Sequence, residues 1–298
     1  MSSPSIHKGY TMFIANGWRD FAVLDAGDGE KLERWGQVTL RRPDPQAIWP
    51  KRNPSLWETE DAAYIRSAAG GGAWTYTKSV PEKWKIAYKD LHFFVRPTGF
   101  KHTGLFPEQA VNWDWMRHLL SYPREGAKPR VLNLFGYTGG ATLACAQSGA
   151  AVCHVDAAKG MAQWARENYA LNALPTENAR WIVDDAMKFV QREIRRGSRY
   201  EGILMDPPSY GRGPGGEVWK LEDTLFALVD ACVSLLSDNA VFFLINSYTT
   251  GLQPTVLQNL LRFTVVSRHG GVAEADEVVL PIASGGYLPC GASGRWRR

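Results

Sequence analysis

Four short apolar runs between residues 131 and 205 are each followed by glycine or acidic residues. The runs and the residues that end them are 131–135 with Gly136, 151–155 with Asp156, 181–183 with Asp184 and Asp185, and 203–205 with Asp206. Apolar runs that break at turn residues predict buried strands. A glycine turn lets a ligand approach the backbone, and a carboxylate at a strand tip can bind the two hydroxyls of a ribose. The first two segments therefore predict a nucleoside-binding site.

The segment Asp206-Pro207-Pro208-Ser209-Tyr210 follows the fourth run, and it is far more specific than a glycine turn. Two consecutive prolines stiffen a loop and fix the direction of their carbonyl groups. The motif therefore predicts hydrogen-bond acceptors held in place at a strand tip.

The glycine segment lacks the fingerprint of a pyrophosphate site. Its glycines fall as Gly-x-x-Gly-Gly, whereas dinucleotide-binding turns have Gly-x-Gly-x-x-Gly. S-adenosylmethionine carries a sulfonium and an amino-acid tail in place of phosphates, so its loop needs polar contacts from residues such as Thr138. Residues 133–140 resemble the first motif of class I S-adenosylmethionine-dependent methyltransferases, and Asp206-Pro207-Pro208 resembles the fourth. The resemblance covers roughly residues 100–290.

This resemblance implies S-adenosylmethionine as the cofactor and assigns roles to residues at the strand tips. The cofactor-binding residues would be Phe135, Gly136, Tyr137, Thr138, Gly140, Asp156, Ala157, Asp185, Ala186 and Asp206. Asp185 would accept a hydrogen bond from the adenine amino group, and Asp184 is expected to be exposed or to cap the next helix. The catalytic residues would be Asp206, Pro207 and Tyr210. Asp206 and a proline carbonyl would aim the amine of a base at the methyl group, and Tyr210 would stack on that base.

The chain is most similar to the bacterial ribosomal RNA large-subunit methyltransferase family, which includes 5-methylcytosine and bifunctional guanine enzymes. It departs from that family at three points. Nothing before residue 20 leaves room for the PUA domain with which members commonly begin. The segments 206–209 and 246–249 lack the cysteine that 5-methylcytosine enzymes need, so a nitrogen target is favoured over carbon. Ser209 occupies the usual aromatic position, and Tyr210 lies one residue beyond it.

The predicted fold class is α/β. Alternating strands and helices favour a Rossmann-like, seven-stranded methyltransferase sheet over residues 101–298, closed by an antiparallel pair after a helix at 254–262. Residues 10–100 predict a small β-rich module, with a hairpin turn at Asp28-Gly29. The loop 211–216 is expected to be flexible enough to close over substrate, with Arg212 able to contact a phosphate. The tail 295–298 is expected to be disordered.

Charge and aromatic residues concentrate in the N-terminal module. Residues 1–101 contain 15 Lys and Arg against 11 Asp and Glu, which is the whole of the net charge of +4. Half of the twelve tryptophans lie here, namely Trp18, Trp35, Trp49, Trp57, Trp74 and Trp84. Aromatic faces among cations can bind RNA by stacking and phosphate contact. Large aromatics also fill the core of a small β module, and for each tryptophan this second role is favoured.

The composition of the chain indicates its class of protein, its compartment and the state of its cysteines. Hydrophobic residues make up 45% of the chain and charged residues 21%, which is typical of a soluble globular protein. There is no apolar stretch long enough to span a membrane and no secretory signal, so we expect a cytosolic protein. The spacing of cysteines and histidines predicts buried free thiols and no metal site.

Three functions fit the sequence. The favoured one is methylation of a base in RNA, with ribosomal RNA as the expected substrate. The alternatives are a small-molecule methyltransferase, and a non-catalytic RNA-binding protein that retains the cofactor fold.

Overall fold

A large, mostly parallel sheet carries the predicted strand tips. The computed structural model describes residues 12–67, 70–122, 128–212, 218–249 and 251–298. The strands are β1 Phe13–Ile14, β2 Phe21–Gly27, β3 Glu30–Trp35, β4 Val38–Pro43, β5 Ala62–Arg66, β6 Gly72–Tyr76, β7 Trp84–Tyr88, β8 Leu91–Val95, β9 Arg130–Leu134, β10 Ala151–Asp156, β11 Ala179–Val183, β12 Gly202–Met205, β13 Tyr210–Arg212, β14 Val218–Lys220, β15 Phe242–Ser247, β16 Val272–Pro281 and β17 Tyr287–Arg297.

The helices alternate with these strands in the C-terminal part. They are α1 Ala110–Leu120, α2 Gly140–Gln147, α3 Lys159–Leu171, α4 Ala186–Arg195, α5 Leu221–Val233, α6 Pro254–Leu261 and α7 Ser267–His269. Short 3-10 turns lie at Pro54–Thr59, Pro107–Gln109 and Thr176–Asn178, and a π turn at Arg262–Val266 joins α6 to α7. Among the described helices, none is both long and apolar enough to cross a membrane.

The strand order of the large sheet is β1-β16-β17-β15-β12-β9-β10-β11. Strands β9 to β12 and β15 run parallel, whereas β17 is antiparallel to both β15 and β16. The predicted seven strands are therefore present with their closing antiparallel pair. The sheet has an eighth strand as well, because Phe13–Ile14 pairs in parallel with β16 at the edge. Residues before the predicted boundary at 100/101 thus enter the methyltransferase sheet, and the boundary itself stays a prediction.

Both faces of the sheet are covered, as a parallel sheet requires. Along β9, Val131 packs into one hydrophobic cluster with α1, α2 and part of the N-terminal module. Leu132 and Leu134 point to the other face and pack into a second cluster with α4, α5 and α6. This double burial is the reason that the strands are continuous apolar runs in the sequence.

The N-terminal module contains a five-stranded sheet of order β2-β3-β4-β5-β6 and a separate hairpin of β7 and β8. Asp28 and Gly29 form the β2–β3 turn, both with positive φ, as the sequence predicts. Strand β5 was not predicted, because its short run 62–66 lies among prolines and polar residues.

The C-terminal tail is ordered, so the prediction of disorder is wrong. Arg295 and Trp296 belong to β17, which pairs with both β15 and β16. Trp296 is fully buried and donates its indole N–H to the Gly270 carbonyl at 2.7 Å. The charged tail forms an internal strand for two reasons. Its Trp296 side chain fills the core, and its Arg295 guanidinium donates hydrogen bonds to the Asn112 side-chain oxygen.

Candidate functional site

The glycine loop forms a tight cradle between β9 and α2. Phe135 and Tyr137 have positive φ angles of 56° and 50°, which non-glycine residues rarely adopt. Gly136 is required by packing, since a Cβ there would lie 2.3 Å from Cε1 of His154. At Gly140 a Cβ would lie 2.7 Å from the indole of Trp113. Strained backbone held by tight packing is typical of ligand-binding turns.

Asp156 lies at the tip of β10 and is bound to the glycine loop. Its Oδ2 accepts a hydrogen bond from the Tyr137 amide at 2.8 Å, and its Oδ1 accepts one from the Ala158 amide at 2.8 Å. Burial raises the pKa of Asp156, whereas the two amide donors act in the opposite direction. The carboxylate is therefore fixed beside the loop, where the predicted ribose contact would form.

The roles of the two acids after β11 differ from the prediction for Asp184. Asp185 caps α4, because its Oδ1 accepts from the Lys188 amide at 2.9 Å. Asp184 instead forms an ion pair with Arg192, and its Oδ1 accepts from the Asp185 amide at 2.8 Å. The helix begins at Ala186, so its N-cap position falls on Asp185 and not on Asp184. The predicted adenine contact of Asp185 would share its carboxylate with this cap.

Asp206 lines a pocket whose other walls are the glycine loop and the segment before α1. The pocket residues that frame it are Leu105, Phe106, Gln109, Gly136, Thr138, Gly140 and Asn246. Its Oδ1 is buried and has no hydrogen-bond partner among the described residues. Burial, helped by the charge of Glu108, raises the pKa of Asp206 to about 8. A buried polar atom without a partner is costly unless a ligand satisfies it.

The two proline carbonyls of the motif are not equivalent. The Pro208 carbonyl accepts a hydrogen bond from the Trp219 indole at 2.6 Å and so already has a donor within the protein. Trp219 also packs against Phe135 of the glycine loop, with ring centroids 5.3 Å apart. Trp219 therefore braces the motif against the loop, and the predicted proline acceptor would be the Pro207 carbonyl.

Tyr210 is 53% exposed at the start of β13. Strand β13 pairs with β14 in a hairpin beside the motif. Its exposed ring is compatible with the predicted stacking on a base. The predicted closure of the loop 211–216 falls largely on residues outside the described ranges, as does the side chain of Arg212.

Sequence analysis missed a group of residues that closes the pocket from the side of α1 and β15. Gln109 donates to the Tyr248 hydroxyl at 2.6 Å and accepts from Asn112 at 2.8 Å and Asn246 at 2.9 Å. Phe106 packs against both Tyr137 and Tyr248, with ring centroids 5.3 and 5.4 Å apart. These residues are far apart in sequence. Of these residues, only Asn246 could be recognised from the sequence, because it lies at a strand tip.

The tryptophans of the N-terminal module belong to its interior. All six indole N–H groups donate to acceptors within the protein, and none of the six residues is exposed. Several cations are also paired, since Arg41 contacts Glu30 and Glu60 and Arg42 contacts Glu33. Trp35 and Trp57 are buried and the other four are half-buried against the core, which agrees with the favoured core role.

The four cysteines are free, as predicted. Cys145, Cys153 and Cys232 are buried and Cys290 is half-buried. Burial raises the pKa of each thiol, to about 11 for Cys153. In the described ranges, no group of three or more His, Cys, Asp or Glu side chains could hold a metal ion.

Comparison with known proteins identifies the class that this fold and pocket define. The sequence model of the S-adenosylmethionine-dependent methyltransferase family matches residues 66–229, and the chain belongs to that family. It is 31% identical over 251 residues to the ribosomal RNA large subunit methyltransferase K of Neisseria meningitidis, which covers 81% of this chain and 68% of that protein. It is 29% identical over 180 residues to the methyltransferase K/L of Shewanella frigidimarina, covering 59% of this chain but only 24% of that longer protein.

The solved structures that are similar to this chain include S-adenosylmethionine-dependent methyltransferases. A SAM-dependent methyltransferase from Agrobacterium tumefaciens is 38% identical, with a TM-score of 0.88, and the match covers 95% of this chain and 93% of that one. A putative SAM-dependent methyltransferase from Streptococcus mutans has a TM-score of 0.74 at 18% identity, over 95% of this chain and 76% of that chain, which supports the fold alone. The protein is thus an S-adenosylmethionine-dependent enzyme. The glycine cradle and the unpartnered acid Asp206 line one pocket, and the Asp156 carboxylate is bound to the same loop, an arrangement that suits this cofactor.

Proposed function

We propose that this protein methylates a nitrogen of a base in RNA, with ribosomal RNA as the favoured substrate. The observation that carries the proposal is Asp206, whose buried Oδ1 lacks a partner in the pocket beside the glycine loop. An exocyclic amine would satisfy that oxygen by donating a hydrogen bond. The names of two relatives, which are ribosomal RNA methyltransferases, support RNA as the substrate class.

The cofactor would be held by the residues predicted from the sequence. Gly136, Thr138 and Gly140 line the pocket, and Asp156 lies against the same loop. When bound, S-adenosylmethionine supplies a methyl group on a cationic sulfur, which an attacking nitrogen takes while the carbon–sulfur electron pair stays on sulfur. Asp206 would orient the amine and hold the proton that the methylated nitrogen must lose. Tyr210 would stack on the base.

A nitrogen target is favoured because neither strand-tip motif carries a thiol for addition to a pyrimidine ring. Position 209 is Ser and position 246 is Asn. Of the four cysteines, three are buried, and burial keeps the thiol pKa values high. A nucleophilic cysteine needs a lowered pKa and access to substrate.

Methyl transfer from labelled cofactor to total RNA, measured beside transfer to an RNA-free metabolite extract, tests the proposal. Label in RNA, located in a modified nucleoside by mass spectrometry, is the expected result. Label only in the metabolite extract would identify a small-molecule methyltransferase. Binding of RNA without any label transfer would indicate the non-catalytic alternative. The Asp206→Ala variant is the matched negative control, because it removes the proposed acceptor without touching the glycine loop.

A further inference from the structure

Arg295 is a buried cation for which neither the motifs nor the proposed function has a role. It lies on β17 and is 5% exposed. Its guanidinium carbon lies 3.7 Å from the centroid of the Phe13 ring and 5.2 Å from that of the Trp115 ring. Among the described residues, no acid forms an ion pair with it. A buried cation is costly unless hydrogen bonds replace its lost hydration, so its hydrogen bonds indicate its role.

The hydrogen bonds of Arg295 fix the orientation of the Asn112 side chain on α1. Its Nε and Nη2 both donate to the same Asn112 atom, at 2.9 and 2.6 Å. Because a guanidinium has only donors, that atom must be the amide oxygen Oδ1. The amide nitrogen of Asn112, a residue that is fully buried, therefore faces the opposite way, toward Gln109 and Asn246.

The Asn112 nitrogen transmits this orientation to the wall of the pocket. It donates to Gln109 Oε1 and to Ser293 Oγ, both at 2.8 Å, and lies 3.1 Å from Asn246 Oδ1. Ser293 in turn donates to Asn246 Oδ1 at 2.7 Å. The Asn246 nitrogen must then face Gln109 Oε1, to which it donates at 2.9 Å. The orientation of each amide in this Arg295 network therefore follows from the guanidinium.

Asn246 lies beside Asp206 on one face of the sheet. Met205 of β12 pairs with Ile245 of β15 in parallel register, so Asp206 and Asn246 follow as the next two neighbours. Neighbouring strands lie about 4.8 Å apart, and residues in register project to the same face. Both side chains line the pocket, together with Gln109.

The pocket presents a donor next to an acceptor. Asn246 is 3% exposed, and among the described residues only Gln109 accepts from its amide nitrogen, which carries two hydrogens. One of these hydrogens is thus available to a ligand. The Oδ1 of Asp206 has no partner among the described residues either. A ligand that satisfies both side chains must carry a donor and an acceptor close together.

We propose that Arg295 is a positioning residue which, through Asn112, holds Asn246 as a hydrogen-bond donor beside Asp206, and that Asn246 and Asp206 together recognise the edge of the target base. The inference rests on the proposed function, in which Asp206 accepts from an exocyclic amine. Asn246 donates to the ring nitrogen or carbonyl oxygen next to that amine. Two hydrogen bonds fix the rotation of the base in its plane, which one cannot do, and so aim the amine at the methyl group. Uracil has no exocyclic amine and lacks the donor that this pair requires.

Methyl transfer from labelled S-adenosylmethionine to total RNA tests the direct contact first. Asn246→Ala should lower kcat/KM for RNA about 10- to 100-fold, because one hydrogen-bonding group of the base is left unpaired in the pocket. Its affinity for S-adenosylhomocysteine, measured by calorimetry without RNA, should stay within about twofold of wild type, since the lost contact is to the base. The methyl group should be found by mass spectrometry on an exocyclic nitrogen.

Three arginine variants then test the remote role. Arg295→Met keeps an unbranched side chain but removes the donors, so the Asn112 amide can turn and kcat/KM for RNA should fall about 3- to 10-fold. Arg295→Lys should retain most of the activity, because an ammonium also has only donors and orients Asn112 in the same way. Arg297→Met changes an exposed arginine two residues further along β17 and is the matched control, which should match wild type.

Nuclear magnetic resonance of asparagine-labelled protein measures the Arg295 network without RNA. The side-chain amide signals of Asn112 and Asn246 are identified by their loss in Asn112→Ser and Asn246→Ala. Both should shift or broaden in Arg295→Met and stay close to their wild-type positions in Arg295→Lys and Arg297→Met.

Wild-type activity in Arg295→Met, or equal losses in Arg295→Met and Arg295→Lys, would overturn the positioning role. Weaker binding of S-adenosylhomocysteine by Asn246→Ala would assign Asn246 to the cofactor and overturn its contact with the base. A methyl group on a ring atom would overturn recognition of the amine edge. If wild type labels no RNA but the amide signals respond to Arg295 as expected, the proposed function fails while the positioning role of Arg295 stands, so the two failures are distinguishable.

Discussion

Asp206→Asn should stabilise the protein, and the gain should grow with pH. The folded-state pKa of Asp206 is about 8, above its ordinary value of 3.8. A carboxyl whose pKa is raised by folding supports the folded state below pH 4 and loses that contribution as the pH rises to 8, because the unfolded chain ionises first. Asparagine is close to isosteric and carries no charge, so it removes this pH-dependent loss.

The magnitude follows from the pKa difference. One pH unit corresponds to about 1.4 kcal/mol, so the full difference corresponds to about 6 kcal/mol. Asp206 lines a pocket that water can enter, and solvent screening reduces the effect, so we expect about 2 to 3 kcal/mol at pH 9. For a chain of this size the melting temperature should rise by roughly 4 to 8 °C.

Thermal melts of wild type and Asp206→Asn between pH 4 and pH 9, without cofactor, provide the assay. The difference in melting temperature should increase up to about pH 8 and then level off. The new asparagine amide is buried without a hydrogen-bond partner, which lowers the stability of the variant by the same amount at every pH. The test is therefore how the difference in melting temperature changes with pH, and not its absolute value. A difference that stays flat or shrinks as the pH rises would refute the reasoning. Asp223→Asn, an exposed acid on α5, should show no such slope.

Further predictions concern the cofactor loop and the chemistry. Asp156→Ala should weaken S-adenosylmethionine binding by about 1 to 3 kcal/mol, because it leaves two loop amides without their acceptor; unchanged affinity in calorimetry would exclude Asp156 from the site. Gly136→Ala should cost about 1 to 3 kcal/mol of stability through its clash with His154, and a wild-type melting temperature would contradict this. Asp206→Ala should lower methyl transfer about a hundred- to a thousand-fold in single-turnover assays. Replacing all four cysteines should leave activity intact in any variant that folds, and a covalent complex trapped with 5-fluorocytosine RNA would show that a cysteine reacts after all.

The strand-tip motifs could be predicted because they are local. Each consists of an apolar run followed directly by its functional residue, and the parallel sheet then brings the tips of β9, β10 and β12 together. The glycine loop, Asp156 and Asp206 therefore meet as expected. The identity of the α4 cap was wrong by one residue, since the exact start of a helix depends on backbone geometry that a sequence pattern does not resolve.

The amino-acid sequence by itself determined the family, the parallel sheet and the residues at its strand tips, because each of these depends on neighbours within about ten positions. Only the tertiary structure decided which distant residues complete the pocket and what the tryptophans do. Gln109, in the turn before α1, donates to Tyr248, which lies 139 positions away in the chain, because tertiary packing brings the two residues together. The same tryptophan can fill a core or bind a base, and burial with a satisfied indole N–H, which no local pattern encodes, places all six within the core or packed against it.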